Sequence, residues 1–130
     1  MRHFVYISTA AAGVGPEDIA RIVETAQRNN PPRGITGFLL YNGRNFMQLL
    51  EGEQGSLQSL MLSLTRDTRH HGIVRIEDIA IEERLFKDWN MPHLSMSGDL
   101  SEKRTEIDAM LPENLDPQVR RTVLNFTALS

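Results

Sequence analysis

Two side chains with complementary chemistry stand out. Gln48 is a carboxamide inside the apolar run Phe46-Met47-Gln48-Leu49-Leu50, and Tyr6 is a phenol near the start of the chain. A run this hydrophobic is expected to be buried, and a buried amide brings two N–H donors and a carbonyl acceptor that need partners. Leaving such a group unpaired costs roughly 1–3 kcal/mol. A phenol and an amide can bond to each other and still engage a third heteroatom, so a ligand could complete the set. Taken alone, Gln48 also fits a core glutamine bonded to backbone, and Tyr6 an ordinary residue of an amphipathic strand.

The elements that must position this pair can be read from periodicity. Residues 2–8 alternate as a strand, with Phe4, Tyr6 and Ser8 on one face and Val5 and Ile7 on the other. Pro16 suits a helix start, and 16–29 carries Ile19, Ile22, Val23 and Ala26 on one face before Asn29-Asn30-Pro31-Pro32 ends it. Residues 34–42 and 45–51 read as strands joined at Asn42-Gly43, the strongest local hairpin signal in the chain. A second helix is predicted over 56–67, with Leu57, Leu60, Met61 and Leu64 at helical spacing, followed by strands over 73–82 and 86–92.

The order β-α-β-β-α-β-β implies an α+β, ferredoxin-like sandwich: a five-stranded mixed sheet with two helices over one face. The first and third strands are apolar on both faces, so the second face needs cover too. Helices over 101–111 and 116–129 are the available cover, which makes 96–130 a helical extension of the same globule as 1–95. In such a sheet the first and third strands lie side by side, bringing Tyr6 and Gln48 together beneath the first two helices.

Composition narrows the function. The chain has 130 residues, one domain's length, and a formal charge of −3, which argues against general nucleic-acid binding and a polybasic membrane surface. No apolar run approaches the roughly 20 residues that span a bilayer, and there is no secretory signal pattern, so a cytoplasmic location is expected. With no cysteine, thiol catalysis and Cys-ligated metals are excluded. Asp67-x-x-His70-His71 is a weak metal pattern, and Glu51 with Glu53 a weak acid/base pair without a nucleophile. His3 and His93 read as surface or strand-end residues. Gly13-x-Gly15-Pro16 is a turn rather than a phosphate loop.

Several segments occur together in one order: Tyr6-Ile7-Ser8, Asn29-Asn30, Gly34-Ile35-Thr36-Gly37, Phe46-x-Gln48-x-Leu50-Glu51-Gly52, Asp67-x-Arg69-His70 and Arg84-x-Phe86-x-x-Trp89-x-Met91. In this combination the chain resembles the BLUF family, blue-light sensors that use a flavin, over about residues 2–95. The resemblance implies FAD between the first two helices, with its ring edge toward the central strands. It implies Tyr6 and Gln48 as the photoactive pair, Asn30 on the ring's carbonyl edge with Asn29 beside it, and Ile22 and Leu64 against the ring faces. Asp67, Arg69 and His70 fall at the cofactor's polar end, and Ser63 stands where some members carry a cation. Trp89, Met91 and Ser8 are implied to modulate the switch.

The same resemblance implies the mechanism. An excited flavin oxidises Tyr6 through the bridging amide, and Gln48 is left rotated or tautomerised, donating a stronger hydrogen bond to the flavin carbonyl. The expected protein is therefore a short photoreceptor, not an enzyme, that signals through its C-terminal helices to a protein partner or through a homo-oligomer. Two rivals are a small flavin oxidoreductase using the same pocket and a cofactor-free ferredoxin-like interaction module.

Overall fold

The computed structural model describes the backbone of residues 1–87, 89–95 and 100–126, with side chains for 1–87, 89 and 104–126. Five strands form one sheet: β1 (Arg2–Ala10), β2 (Thr36–Tyr41), β3 (Asn45–Gly52), β4 (His70–Ala80) and β5 (Asn90–Ser95), in the order β4-β1-β3-β2-β5. Four of them, β4-β1-β3-β2, make an antiparallel core, and β5 joins the edge parallel to β2. The fold is α+β and ferredoxin-like.

The two-sided hydrophobicity of β1 and β3 is explained by two separate layers. On one face, Phe4, Tyr6 and Leu50 pack with Leu57 and Leu60 of α2 (Gln54–Thr65) and with Ala26 of α1 (Pro16–Asn29). On the other, Val5, Met47 and Leu49 pack with residues of α3 (Leu100–Met110) and α4 (Pro117–Phe126), including Ile107, Val119, Val123 and Phe126. Burial of apolar side chains at roughly 25 cal/mol per Å² makes each layer a substantial source of stability. Among the described residues no helix is long and apolar enough to cross a membrane.

Boundaries shift where side chains override the apolar pattern. The strand predicted over 73–82 begins at His70, because β1 runs on to Ala10 and pairs with it. The second helix stops at Thr65 rather than 67, since the Asp67 carboxylate turns to accept the Arg69 N–H at 2.9 Å. The last strand is Asn90–Ser95 rather than 86–92: the N–H groups of Leu85 and Phe86 donate to Glu51, and Trp89 N–H closes a turn onto the Phe86 carbonyl.

Gly37 is required by the way β5 docks. Its φ is +141°, and a Cβ there would lie 1.8 Å from the Leu49 carbonyl oxygen. Its N–H donates to the Trp89 carbonyl at 2.9 Å, which starts the β2–β5 pairing. Gly37→Ala is expected to destabilise the fold by about 2 kcal/mol or more, from backbone strain and a contact that cannot relax. Urea unfolding of the two proteins checks this; a difference within about 0.5 kcal/mol, the usual range of a neutral surface change, contradicts it.

Candidate functional site

Tyr6 and Gln48 are direct partners in the antiparallel β1–β3 ladder, so their side chains project together toward α1 and α2. The Tyr6 hydroxyl donates to Gln48 Oε1, and the residues are only 3% and 4% exposed. Above them lies a cavity of about 150 Å³. Tyr6, Ser8 and Gln48 form its floor, with Leu39 and Phe46 from β2 and β3 beside them. Ile22, Ala26, Asn29 and Asn30 line it from α1, and Leu60, Ser63 and Leu64 from α2. Asp67, Arg69 and His70 close the far end.

Local chain chemistry explains how Asn30 reaches this wall. Its N–H completes α1 by donating to the Ala26 carbonyl, and its own carbonyl accepts from Arg33 and Ile35 at 3.0 Å each. Pro31 prevents the helix from continuing in α geometry, and the chain turns through a short 3-10 segment, Pro31–Arg33. Asn30 is therefore held by backbone on both sides and is 1% exposed. Among the described residues its Nδ2 nevertheless has no partner, and neither do Ser8 Oγ and His70 Nδ1. Three unpaired buried polar atoms lining one cavity are costly unless a ligand satisfies them.

A flavin ring would fit that requirement: a carbonyl edge would suit the Asn30 amide, and the aliphatic Ile22 and Leu64 of α1 and α2 would suit a flat ring. Pockets of this kind combine apolar walls with a few placed polar groups.

The titratable groups are set for a neutral floor. Burial pushes the Tyr6 phenol well above the ordinary tyrosine range, and the negative charge of Asp67 adds to the shift. The Arg69 guanidinium holds the Asp67 carboxyl below the usual carboxylate range, through Nε–Oδ1 and Nη2–Oδ2 contacts of 2.9 and 2.6 Å. Burial lowers the pKa of His70; Arg69 and His71 push the same way, and Asp67 opposes them.

All nine residues assigned to cofactor binding from sequence line this one cavity: Tyr6, Ile22, Asn29, Asn30, Gln48, Leu64, Asp67, Arg69 and His70. Ser8 lines it as well. Trp89 does not. It packs on the opposite side of the sheet with Phe38 and Phe86, at centroid distances of 5.5 and 5.0 Å. Its carbonyl is tied to Gly37 and its ring belongs to the aromatic cluster under α3 and α4, so a modulating role for Trp89 would act from that face of the sheet. The side chains of Met91 and His93 lie outside the described residues.

His3 is the second residue of β1, the strand-end placement of the two expected, and it is buried there, with Nδ1 3.2 Å from Glu51 Oε2. Sequence reasoning missed Thr25, Ala26, Arg33, Leu39, Phe46 and Leu60 as cavity residues. Leu39 was findable, being the cross-strand partner of Gln48 on β2.

The raised Tyr6 pKa has a testable consequence. The unfolded chain loses the Tyr6 proton near pH 10 while the folded chain keeps it, so native stability falls as pH rises through about 10. Tyr6→Phe removes that contribution. Denaturant unfolding from pH 8 to 11 is expected to show wild-type stability declining relative to Tyr6→Phe above pH ~10; parallel curves contradict the assignment.

Comparison with known proteins agrees with this geometry. The family profile described as "Sensors of blue-light using FAD" matches residues 1–92. The photoactivated adenylate cyclase subunit alpha of Euglena gracilis is 40% identical over 81 residues, 62% of this chain and 8% of that protein. The chain spans about a tenth or less of the length of the curated relatives first matched. Among solved structures, Klebsiella pneumoniae BlrP1 with FMN and cyclic diGMP matches with a TM-score of 0.85 at 28% identity, over 98% of this chain and 34% of that one. BlrB, a BLUF protein in its dark state, matches with a TM-score of 0.73 at 29% identity, over 98% of this chain and 93% of that one. This chain belongs to the BLUF family of blue-light sensors.

Proposed function

We propose that this chain binds FAD in the cavity between α1 and α2 and uses Tyr6 and Gln48 as a light-driven hydrogen-bond switch. The observation that carries the reading is the Tyr6–Gln48 bond on the floor of a cavity whose Asn30 donor has no partner among the described residues. When bound and excited, the flavin supplies a strong oxidant at this floor.

The chain's own groups do the rest. Asn30 would donate to the ring's carbonyl edge with Asn29 beside it, Ile22 and Leu64 would bracket the ring and exclude water, and Asp67, Arg69 and His70 would hold the polar tail. Tyr6 would be the electron donor to the excited flavin, with its proton leaving along the existing bond to Gln48 Oε1. A pKa above the ordinary range keeps that proton on the phenol in the dark. Return of the electron to Tyr6 would leave the Gln48 amide rotated or tautomerised, donating a stronger hydrogen bond toward the flavin carbonyl. Ser8, next to Tyr6 on the same face, tunes the environment.

The aliphatic bracket argues for a sensor rather than an enzyme, because Ile22 and Leu64 occupy the faces a nicotinamide or substrate would need. Output runs through α3 and α4, whose apolar residues pack directly under β1 and β3. The receiver is a protein partner or a second copy of the chain. A location in the cytoplasm accords with this reading.

Purified yellow protein is expected to shift its absorption slightly to the red in blue light and to recover in darkness. Denaturation should release FAD rather than FMN on chromatography. Gln48→Leu should keep the flavin and lose the shift. Colourless protein that takes up no flavin overturns the reading, and a normal shift in Gln48→Leu overturns the role of Gln48.

A further inference from the structure

The two strands that carry the photoactive pair carry a second polar pair three rungs along the same ladder. Tyr6 stands opposite Gln48, and His3 opposite Glu51. An offset of three residues reverses the face, so the second pair points toward α3 and α4 rather than the cavity. Glu51 is fully buried and His3 is 2% exposed. The Glu51 carboxylate accepts from Leu85 N–H at 3.0 Å, from Phe86 N–H at 2.8 Å, and lies 3.2 Å from His3 Nδ1. Arg84 ties down the same segment: it donates to the Glu51 carbonyl at 2.8 Å, to Thr36 Oγ1 at 3.0 Å, and to the Gly34 carbonyl.

A buried carboxylate is costly to keep unless its bonds are made, and here, beside the His3 contact, the backbone N–H groups it accepts from both belong to one connection, the segment between β4 and β5. That connection places Phe86, which is fully buried between Phe38 and Trp89 in the layer beneath α3 and α4. Rearrangement at the Gln48 rung therefore has a short mechanical route. It moves the β1–β3 ladder, the ladder carries His3 and Glu51, and Glu51 holds the backbone on which the aromatic cluster rests.

We propose that Glu51, supported by His3 and Arg84, is a positioning residue that couples the switch to the opposite face by clamping the 84–89 segment in the dark and loosening it in the light. The inference rests on the photoreceptor reading above, and one experiment separates the two. Hydrogen–deuterium exchange of peptides covering 84–89 is measured on flavin-loaded protein in darkness and under continuous blue light, with absorption recorded on the same samples.

In wild type, light is expected to speed exchange of this segment by about threefold or more, as local opening does. In Glu51→Gln, which replaces one acceptor oxygen by an NH2 donor, dark exchange should already be near the lit level while the red shift keeps its size. Arg84→Met should give the same loss of light dependence if Glu51→Gln folds poorly. A normal red shift in wild type with unchanged exchange at 84–89 overturns the clamp, as does a variant that retains the wild-type light/dark ratio. Absence of any red shift in wild type overturns the photoreceptor reading itself, and the clamp with it.

Discussion

Everything in this molecule is organised around one hydrogen bond, from the Tyr6 hydroxyl to the Gln48 side-chain carbonyl, across the β1–β3 ladder. Two polar groups inside a hydrophobic layer satisfy each other while keeping capacity for another partner. That arrangement demands a sheet in which the first and third strands are neighbours. It also demands helices on the same side to exclude water, and a gap between them where a further heteroatom can sit. The order β4-β1-β3-β2-β5 and the cavity between α1 and α2 supply these conditions.

Electrostatics reinforce the geometry. Burial and the neighbouring Asp67 carboxylate both disfavour a Tyr6 phenolate, which keeps the phenol proton available for transfer along a bond already formed. The same carboxylate is anchored by Arg69, so the charge is compensated on its outer side and remains effective toward the floor. On the opposite face, the His3–Glu51 pair is engaged with backbone instead of a cavity. One ladder thus presents a polar pair suited to rearrangement on one side and a polar pair that holds structure on the other.

The parts of the fold that follow from alternation were legible in the sequence. Two-sided apolar patterning of β1 and β3 required a second covering layer, and Val119, Val123 and Phe126 of α4 provide it. The pairing of Tyr6 with Gln48 followed from strand order and parity. What periodicity could not reveal was long-range capping by side chains. Nothing local to Phe86 says that Glu51, 35 residues earlier, accepts its N–H and delays the last strand to Asn90. Nor does His3 advertise its burial, because only the partner strand brings Glu51 opposite it. The motif implied that Trp89 modulates the switch without saying where its ring lies, and the ring packs with Phe38 and Phe86 on the other face. The flavin assignment came from the combined motif alone; the unpaired Nδ2 of Asn30 then supports it on independent physical grounds.

The most direct test of the central claim is a light-minus-dark infrared difference spectrum of flavin-loaded protein, with glutamine isotopically labelled. The account predicts a flavin carbonyl band moving to lower frequency on illumination, a label-sensitive amide band from Gln48, and a perturbed phenol band from Tyr6. A red-shifted visible spectrum with no label-sensitive amide change would contradict it.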